Sequence, residues 1–221
     1  MPQRIAVWDA PVRLFHWALA GLVVFSFVTG KLGGSWMPWH LKSGYGILAL
    51  LFFRIAWGVA GSDTARFSGF VRGAHAALDY ARALWKRRPP AVVGHNPLGG
   101  WMVVLMLAVL LLQAATGLFA DDDIATQGPL AVKVSNATVE RMTAIHKWNA
   151  WVVAGVVTLH VLAIAIYQWG LKVDLVGPMV HGGALPDGHP ARRGSNALAA
   201  ALFVIACAAV YYLAVIYPRA P

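Results

Sequence analysis

The chain is poor in charge and almost devoid of cysteine. Of its 221 residues only 12% are Asp, Glu, Lys or Arg, and nine are acidic, whereas an ordinary soluble domain carries about 25% charged residues. Composition therefore argues against a water-soluble fold. The single cysteine, Cys207, excludes an internal disulfide framework, and no CxxCH sequence is present to attach haem covalently. No low-complexity tract or internal repeat stands out. A cleavable signal peptide would need a basic start, a short apolar run and a small-residue cleavage site. Here MPQRIAVWDAPVR leads instead into a full-length apolar segment containing Arg13 and His16, which reads as a retained helix.

What the chain does have is apolar length. Hydrophobic residues make up 59% of it, and the mean hydropathy is +0.62. Five segments, at about 12–30, 38–60, 98–119, 142–169 and 196–217, have the ~20 apolar residues that a helix needs to cross a ~30 Å hydrocarbon core. The fold expected is all-α and integral to a membrane.

The net charge of +9 would suit nucleic acid, but its carriers lie between the apolar segments and not along one soluble face. A membrane, with no nucleic acid, explains them better. One side holds eleven basic residues: Arg4, Arg13, Arg66, Arg72, Arg82, Lys86, Arg87, Arg88, Lys172, Arg192 and Arg193. The other holds six: Lys31, Lys42, Lys133, Arg141, Lys147 and Arg219. The positive-inside rule then puts the N-terminus in the cytoplasm and the C-terminus outside. Trp8, Trp36, Trp39, Trp101, Trp148, Trp151 and Trp169 fall near span ends, where indole rings favour the headgroup region. The stretch AHAALDYARALWKRRPP sets Ala77, Leu78, Ala81, Leu84 and Trp85 opposite Arg82, Lys86 and Arg87, which predicts a surface helix ended by Pro89 and Pro90. On the outer side, Asp121, Asp122 and Asp123 read as a solvated loop, because successive residues do not converge on one cation.

Four of the eight histidines, His16, His40, His146 and His160, lie in or at the edge of apolar helices, where an ionisable side chain is costly and points to function. His75, His95, His181 and His189 lie in loops and need be no more than solvated. His146 and His160 are fourteen residues apart in one helix. At ~100° and 1.5 Å per residue they share a face to within about 40° and stand roughly 21 Å apart along the axis. That helix offers one ligand near each membrane surface. Helix direction pairs His40 with His146 on the outer side and His16 with His160 on the inner side. Two imidazoles per iron make a six-coordinate haem suited to electron transfer, with no position left open for substrate. The competing reading of any one of these histidines is a hydrogen-bonded packing residue. Ala20, Gly44 and Ala150, each one turn beyond a histidine, leave room for a porphyrin. Arg54, fourteen residues after His40, would pair with a haem propionate or else snorkel to the interface.

The stretches VWDAPVRLFHWALA, WHLKSGYGILALLFFRIAWG, GHNPLGGWMVVLML and AIHKWNAWVVAGVVTLH resemble the bacterial cytochrome b561 family. Within it, they are most similar to the b-type cytochrome subunits of nickel-iron hydrogenases. The resemblance implies a four-helix bundle over residues 1–180 with two non-covalent haems b in the bacterial inner membrane. Such a bundle would pass electrons between a periplasmic c-type cytochrome or hydrogenase-like subunit and membrane quinone. It would be followed by a linker over 181–195 and by a helix over 196–221 that departs from the minimal pattern. The haem ligands it implies are His16, His40, His146 and His160. In GHNPLGG, His95 and Asn96 are candidates for hydrogen bonds to a quinone. The alternative is a helix start with Asn96 as cap and Pro97 in its first turn. Two other functions stay open: a stand-alone oxidoreductase that reacts with a small species such as superoxide at the outer haem, and a haem-free transporter using Gln113, Thr116 and Arg54.

Overall fold

The computed structural model describes residues 7–86, 92, 94–183 and 192–219. Among them the chain forms α1 (Ala10–Leu32), α2 (Met37–Ala60), α3 (Phe67–Phe70), α4 (Ala74–Trp85), α5 (Pro97–Gly117), α6 (Asn136–Ala165), α7 (Val176–His181) and α8 (Asn196–Tyr211). The five long helices α1, α2, α5, α6 and α8 are long and apolar enough to cross a membrane. Expected positions of Arg4, Arg87, Arg88, Pro89, Pro90 and His189, and residues 184–191 of the linker, lie outside the described residues.

Polar caps mark where several of these helices begin. Asp9 accepts from the Val12 amide, Asn96 from Gly99, Ser135 from Thr138 and Ser195 from Leu198. Each satisfies a backbone donor that a helix start leaves orphaned. The Ser135 cap starts α6 at Asn136, six residues earlier than apolarity alone suggests. At its other end α6 widens into a π-turn over Ile166–Gly170.

Hydrogen bonds between distant segments establish which helix ends lie together. At one end Asp9 accepts from Trp57 and Ser62, the Asp63 carboxylate accepts from the Arg192 amide, and Asn96 donates to Tyr167. The starts of α1 and α5 and the ends of α2 and α6 therefore meet there; this is the basic end. At the opposite end Thr143 accepts from the Asp121 amide, and the Lys147 ammonium lies 3.9 Å from Asp123. Asp122 accepts from the backbone amides of Ile124, Ala125 and Thr126, which hold its carboxyl down to about 2. The acidic triplet thus organises its own turn.

α1 packs along α2, α5 packs along α6, and α2 also meets α5 and α8. This central place gives α2 more buried residues than any other helix, with Leu51 and Trp57 fully enclosed. The fifth long helix, α8, buries the small residues Ala199, Ala206 and Val210 toward α2, and Phe203 sets its ring on Phe53 with centroids 6.0 Å apart. Small side chains allow the close approach that apolar packing between helices needs in lipid. The fifth helix is an outer layer on the four-helix bundle. On the surface helix α4, Tyr80 is buried while Leu78 and Trp85 are exposed. Trp36, Trp39, Trp101, Trp148, Trp151 and Trp169 are exposed, as interface anchors should be, but Trp8 is not. Trp8 belongs to the core and packs edge-on against His95 at 4.5 Å.

Candidate functional site

The four intramembrane histidines meet in two couples. The His40 and His146 rings have centroids 6.0 Å apart, and those of His16 and His160 are 6.4 Å apart. The pairing is the one that helix direction predicts. A metal bound by two imidazole nitrogens at about 2 Å each, with each ring centre about 1 Å behind its nitrogen, requires centroids about 6 Å apart. Both couples have that spacing. Among the described residues, no group of three or more His, Cys, Asp or Glu could hold an ion by protein ligands alone. Each couple offers two imidazole nitrogens and no further protein donor among the described residues, the arrangement in which His16 with His160 and His40 with His146 would hold a haem iron. Space for a haem exists in places: a Cβ built on Gly44, one turn beyond His40, would meet no atom within 4 Å. α1 and α6 also meet through the Phe27 and Trp151 rings, with centroids 6.0 Å apart.

The two couples differ in what lies behind them. His40 Nδ1 is 2.8 Å from the Ser26 carbonyl oxygen, and His146 Nδ1 is 2.9 Å from that of Gln113. A carbonyl only accepts, so in both rings Nδ1 carries the proton and Nε2 keeps its lone pair for a metal. Gln113 has further duties. Its amide nitrogen donates to the His146 carbonyl at 3.1 Å and lies 3.2 Å from both ring nitrogens, while its oxygen accepts from Asn149 at 2.8 Å. Asn149 also donates to the Val109 carbonyl at 2.9 Å and is 1% exposed. At the other couple, His16 Nδ1 is buried without a hydrogen-bond partner, and the ring packs edge-on against Trp17.

Beside the His16–His160 couple lies a cluster of unsatisfied polar atoms. Arg54 is 3% exposed, which rules out snorkelling; its Nη1 has no partner, and its guanidinium stacks over the Phe67 ring at 4.9 Å. An enclosed cation with a free donor is the environment in which an anionic ligand group fits. His95 is not the solvated loop residue that its position in the sequence suggests. It lies between Trp8 and Phe70, each with centroids 4.5 Å away, and its Nδ1 is buried and unpartnered. Burial first, and then the nearby Arg54 charge, push its pKa down to about 3, so the ring is neutral at physiological pH. Asn96 is the helix cap: its oxygen accepts from Gly99 at 2.8 Å, and its amide nitrogen donates to Tyr167 at 3.2 Å. His75 and His181 are exposed. The seating residues Ser26, Gln113 and Asn149 are those that reading the sequence for ligands overlooks; a carbonyl acceptor leaves no mark in residue type.

The chain is similar to known membrane cytochrome subunits. A protein 24% identical over 212 residues, spanning 80% of this chain and 87% of its own, is the probable Ni/Fe-hydrogenase B-type cytochrome subunit of Azotobacter chroococcum mcd 1. Proteins with the same description occur in Cupriavidus necator, 25% identical over 80% of this chain and 85% of the relative, and in Rhizobium leguminosarum bv. viciae. The former alignment covers 215 residues. The Rhizobium protein is 27% identical over 52% of this chain, which spans 59% of that relative. No solved structure matches the chain. The family model for prokaryotic cytochrome b561 matches residues 7–182, a segment that contains both imidazole couples, and the chain belongs to that family of membrane b-type cytochromes.

Proposed function

We propose that this electron-transfer cytochrome is a di-haem protein that carries electrons across the bilayer between a periplasmic redox partner and the quinone pool. The observation that supports it is the placement of two imidazole couples, each with the separation a shared iron requires, at two levels fourteen residues apart along α6. His40 and His146 would hold one haem b and His16 and His160 the other, with Arg54 facing a propionate of the latter. Bound haem b supplies a one-electron iron couple with both axial positions filled. The chain's part is to orient the imidazoles, exclude water from them and set the two sites roughly 21 Å apart along one rigid helix.

In this reading the basic end faces the cytoplasm and the His40–His146 end the periplasm, following the eleven-to-six distribution of Lys and Arg. The partner at the periplasmic end would be a hydrogenase-like subunit, in keeping with the relatives' description, or a c-type cytochrome. Quinone would approach the basic end. A wide-open apolar groove of about 450 Å³ there is lined by Phe67, Ser68, Val71, Val104 and Leu107. His95 offers the uncommitted polar atom for a quinone oxygen, while Asn96 would position it by capping α5. The transporter reading loses support because Gln113 and Thr116 are engaged around His146 and Arg54 is enclosed.

The test is a reduced-minus-oxidised spectrum with haem quantification on the purified chain and on His16→Ala and His146→Ala. Each substitution should remove a different haem and leave about half the total. Loss of both haems, or of neither, from the two variants would refute the assignment.

A further inference from the structure

The seats of His40 and His146 are built alike. In the first, α1 supplies the Ser26 carbonyl to Nδ1, and Gly30, one turn on, lies against the ring: a Cβ there would come 2.8 Å from Nδ1 and 2.9 Å from Cε1. In the second, α5 supplies the Gln113 carbonyl, and a Cβ on Gly117, one turn on, would come 2.9 Å from Cε1 and 3.2 Å from Nδ1 of His146. Just before each glycine stands a threonine that bonds back to its own helix. Thr29 Oγ1 donates to the carbonyls of Phe25 (2.8 Å) and Ser26 (3.2 Å), and Thr116 Oγ1 to those of Leu112 (2.7 Å) and Gln113 (3.1 Å). In each helix the hydroxyl therefore shares the carbonyl that holds the imidazole. The likeness extends along the facing helices. Ser43 and Asn149, each three residues after its histidine, are buried, as are Ile47 and Val153 at the next matching position. Fourteen residues after the histidine the halves diverge: α6 has the ligand-type residue His160 and α2 has Arg54.

We infer that α1–α2 and α5–α6 are two copies of one imidazole-seating unit, and that the Thr29–Gly30 and Thr116–Gly117 steps are paired positioning elements that tune the haem at His40 and His146. This rests on the di-haem reading. The glycine lets the ring lie against the helix so that Nδ1 reaches the carbonyl. A proton shared with a carbonyl makes the imidazole a stronger donor through Nε2. Stronger donation from both sides favours ferric over ferrous iron and lowers the potential of that haem. The His16–His160 couple, in which His16 Nδ1 has no acceptor, lacks this tuning.

Sequence separation hides the repeat. Ser26 and His40 are 14 residues apart, while Gln113 and His146 are 33 apart, so a scan at fixed period finds nothing.

The experiment is a redox titration followed in the α-band, with low-temperature electron paramagnetic resonance, on the full-length haem-loaded chain. Gly30→Ala and Gly117→Ala should each displace one ring, raise the potential of the same single haem and alter its low-spin signal, leaving the other haem unmoved. Thr29→Val and Thr116→Val, which remove the hydroxyl competing for the carbonyl, should shift that haem the opposite way and keep the helix intact even if an alanine variant does not fold. Equal shifts at both haems, a response from only one copy, or no shift in any valine variant would overturn the inference. If the unsubstituted chain does not bind two haems, the di-haem reading fails first; two haems with unmoved valine variants would defeat the seating inference alone.

Discussion

The two imidazole couples share α6, which contributes His146 to one and His160 to the other, yet they meet opposite surroundings. Around His40 and His146 every polar group near the rings is engaged: two backbone carbonyls, the Gln113 amide and the buried Asn149 form a closed network. Around His16 and His160 the polar atoms are enclosed but unmatched, with His16 Nδ1, Arg54 Nη1 and His95 Nδ1 all buried and without partners. Buried polar groups are costly unless paired. The polar groups behind the first couple are therefore matched within the protein itself, whereas those beside the second are left for a bound group, which on the proposed reading is a propionate or a quinone oxygen.

The largest expected break in this contrast comes from Asp9. Its carboxylate caps α1 and accepts from the enclosed Trp57 indole and from Ser62 at the basic end. Asp9→Ala should cost about 3 kcal/mol, through a lost cap and two stranded donors, read as earlier thermal release of the haem at His16 and His160. At the opposite end, Asn149→Leu removes donors to Val109 and Gln113. Interhelical hydrogen bonds in membranes are worth about 0.6 kcal/mol on average, so a loss of about 1–2 kcal/mol is expected, confined to the haem at His40 and His146. Arg54→Gln should weaken haem binding at the basic end about tenfold, the lower limit for loss of an outer-shell partner, measured by haem titration of the apoprotein.

Much of this was legible in the sequence because lipid imposes simple rules. Apolar length marked all five spans, and the fourteen-residue step from His146 to His160 set two imidazoles at two levels of α6, each facing the partner ring that helix direction suggests. Arg54 and Gly44 also lie where helical spacing suggests, the one enclosed and the other beside open space. What escaped reading depends on backbone atoms or on long-range packing. The seats of His40 and His146 are carbonyls, which every residue possesses, and Trp8 looks like an interface anchor until the turn at Gly94 brings His95 against it. The start of α6 was obscured because Asn136 to Arg141 is a more polar stretch of helix set by the Ser135 cap, and hydropathy does not register caps.

The smallest expected effect lies in the acidic turn. The Asp122 carboxyl is held near 2 by three backbone donors, below its ordinary value of 3.8, so its contribution is present above that value and fades as pH falls toward 2. Asp122→Asn should speed amide exchange at Ile124, Ala125 and Thr126 at neutral pH without altering either haem spectrum. A change at the His16–His160 haem would contradict the separation of the two ends.

The central claim is that each couple grips its own iron porphyrin, and haem stoichiometry on the purified full-length chain tests it most directly. Two haems b per chain are expected, both low-spin with two imidazole ligands, and one after His146→Ala. A single haem in the unsubstituted protein, or high-spin iron at either site, would contradict it.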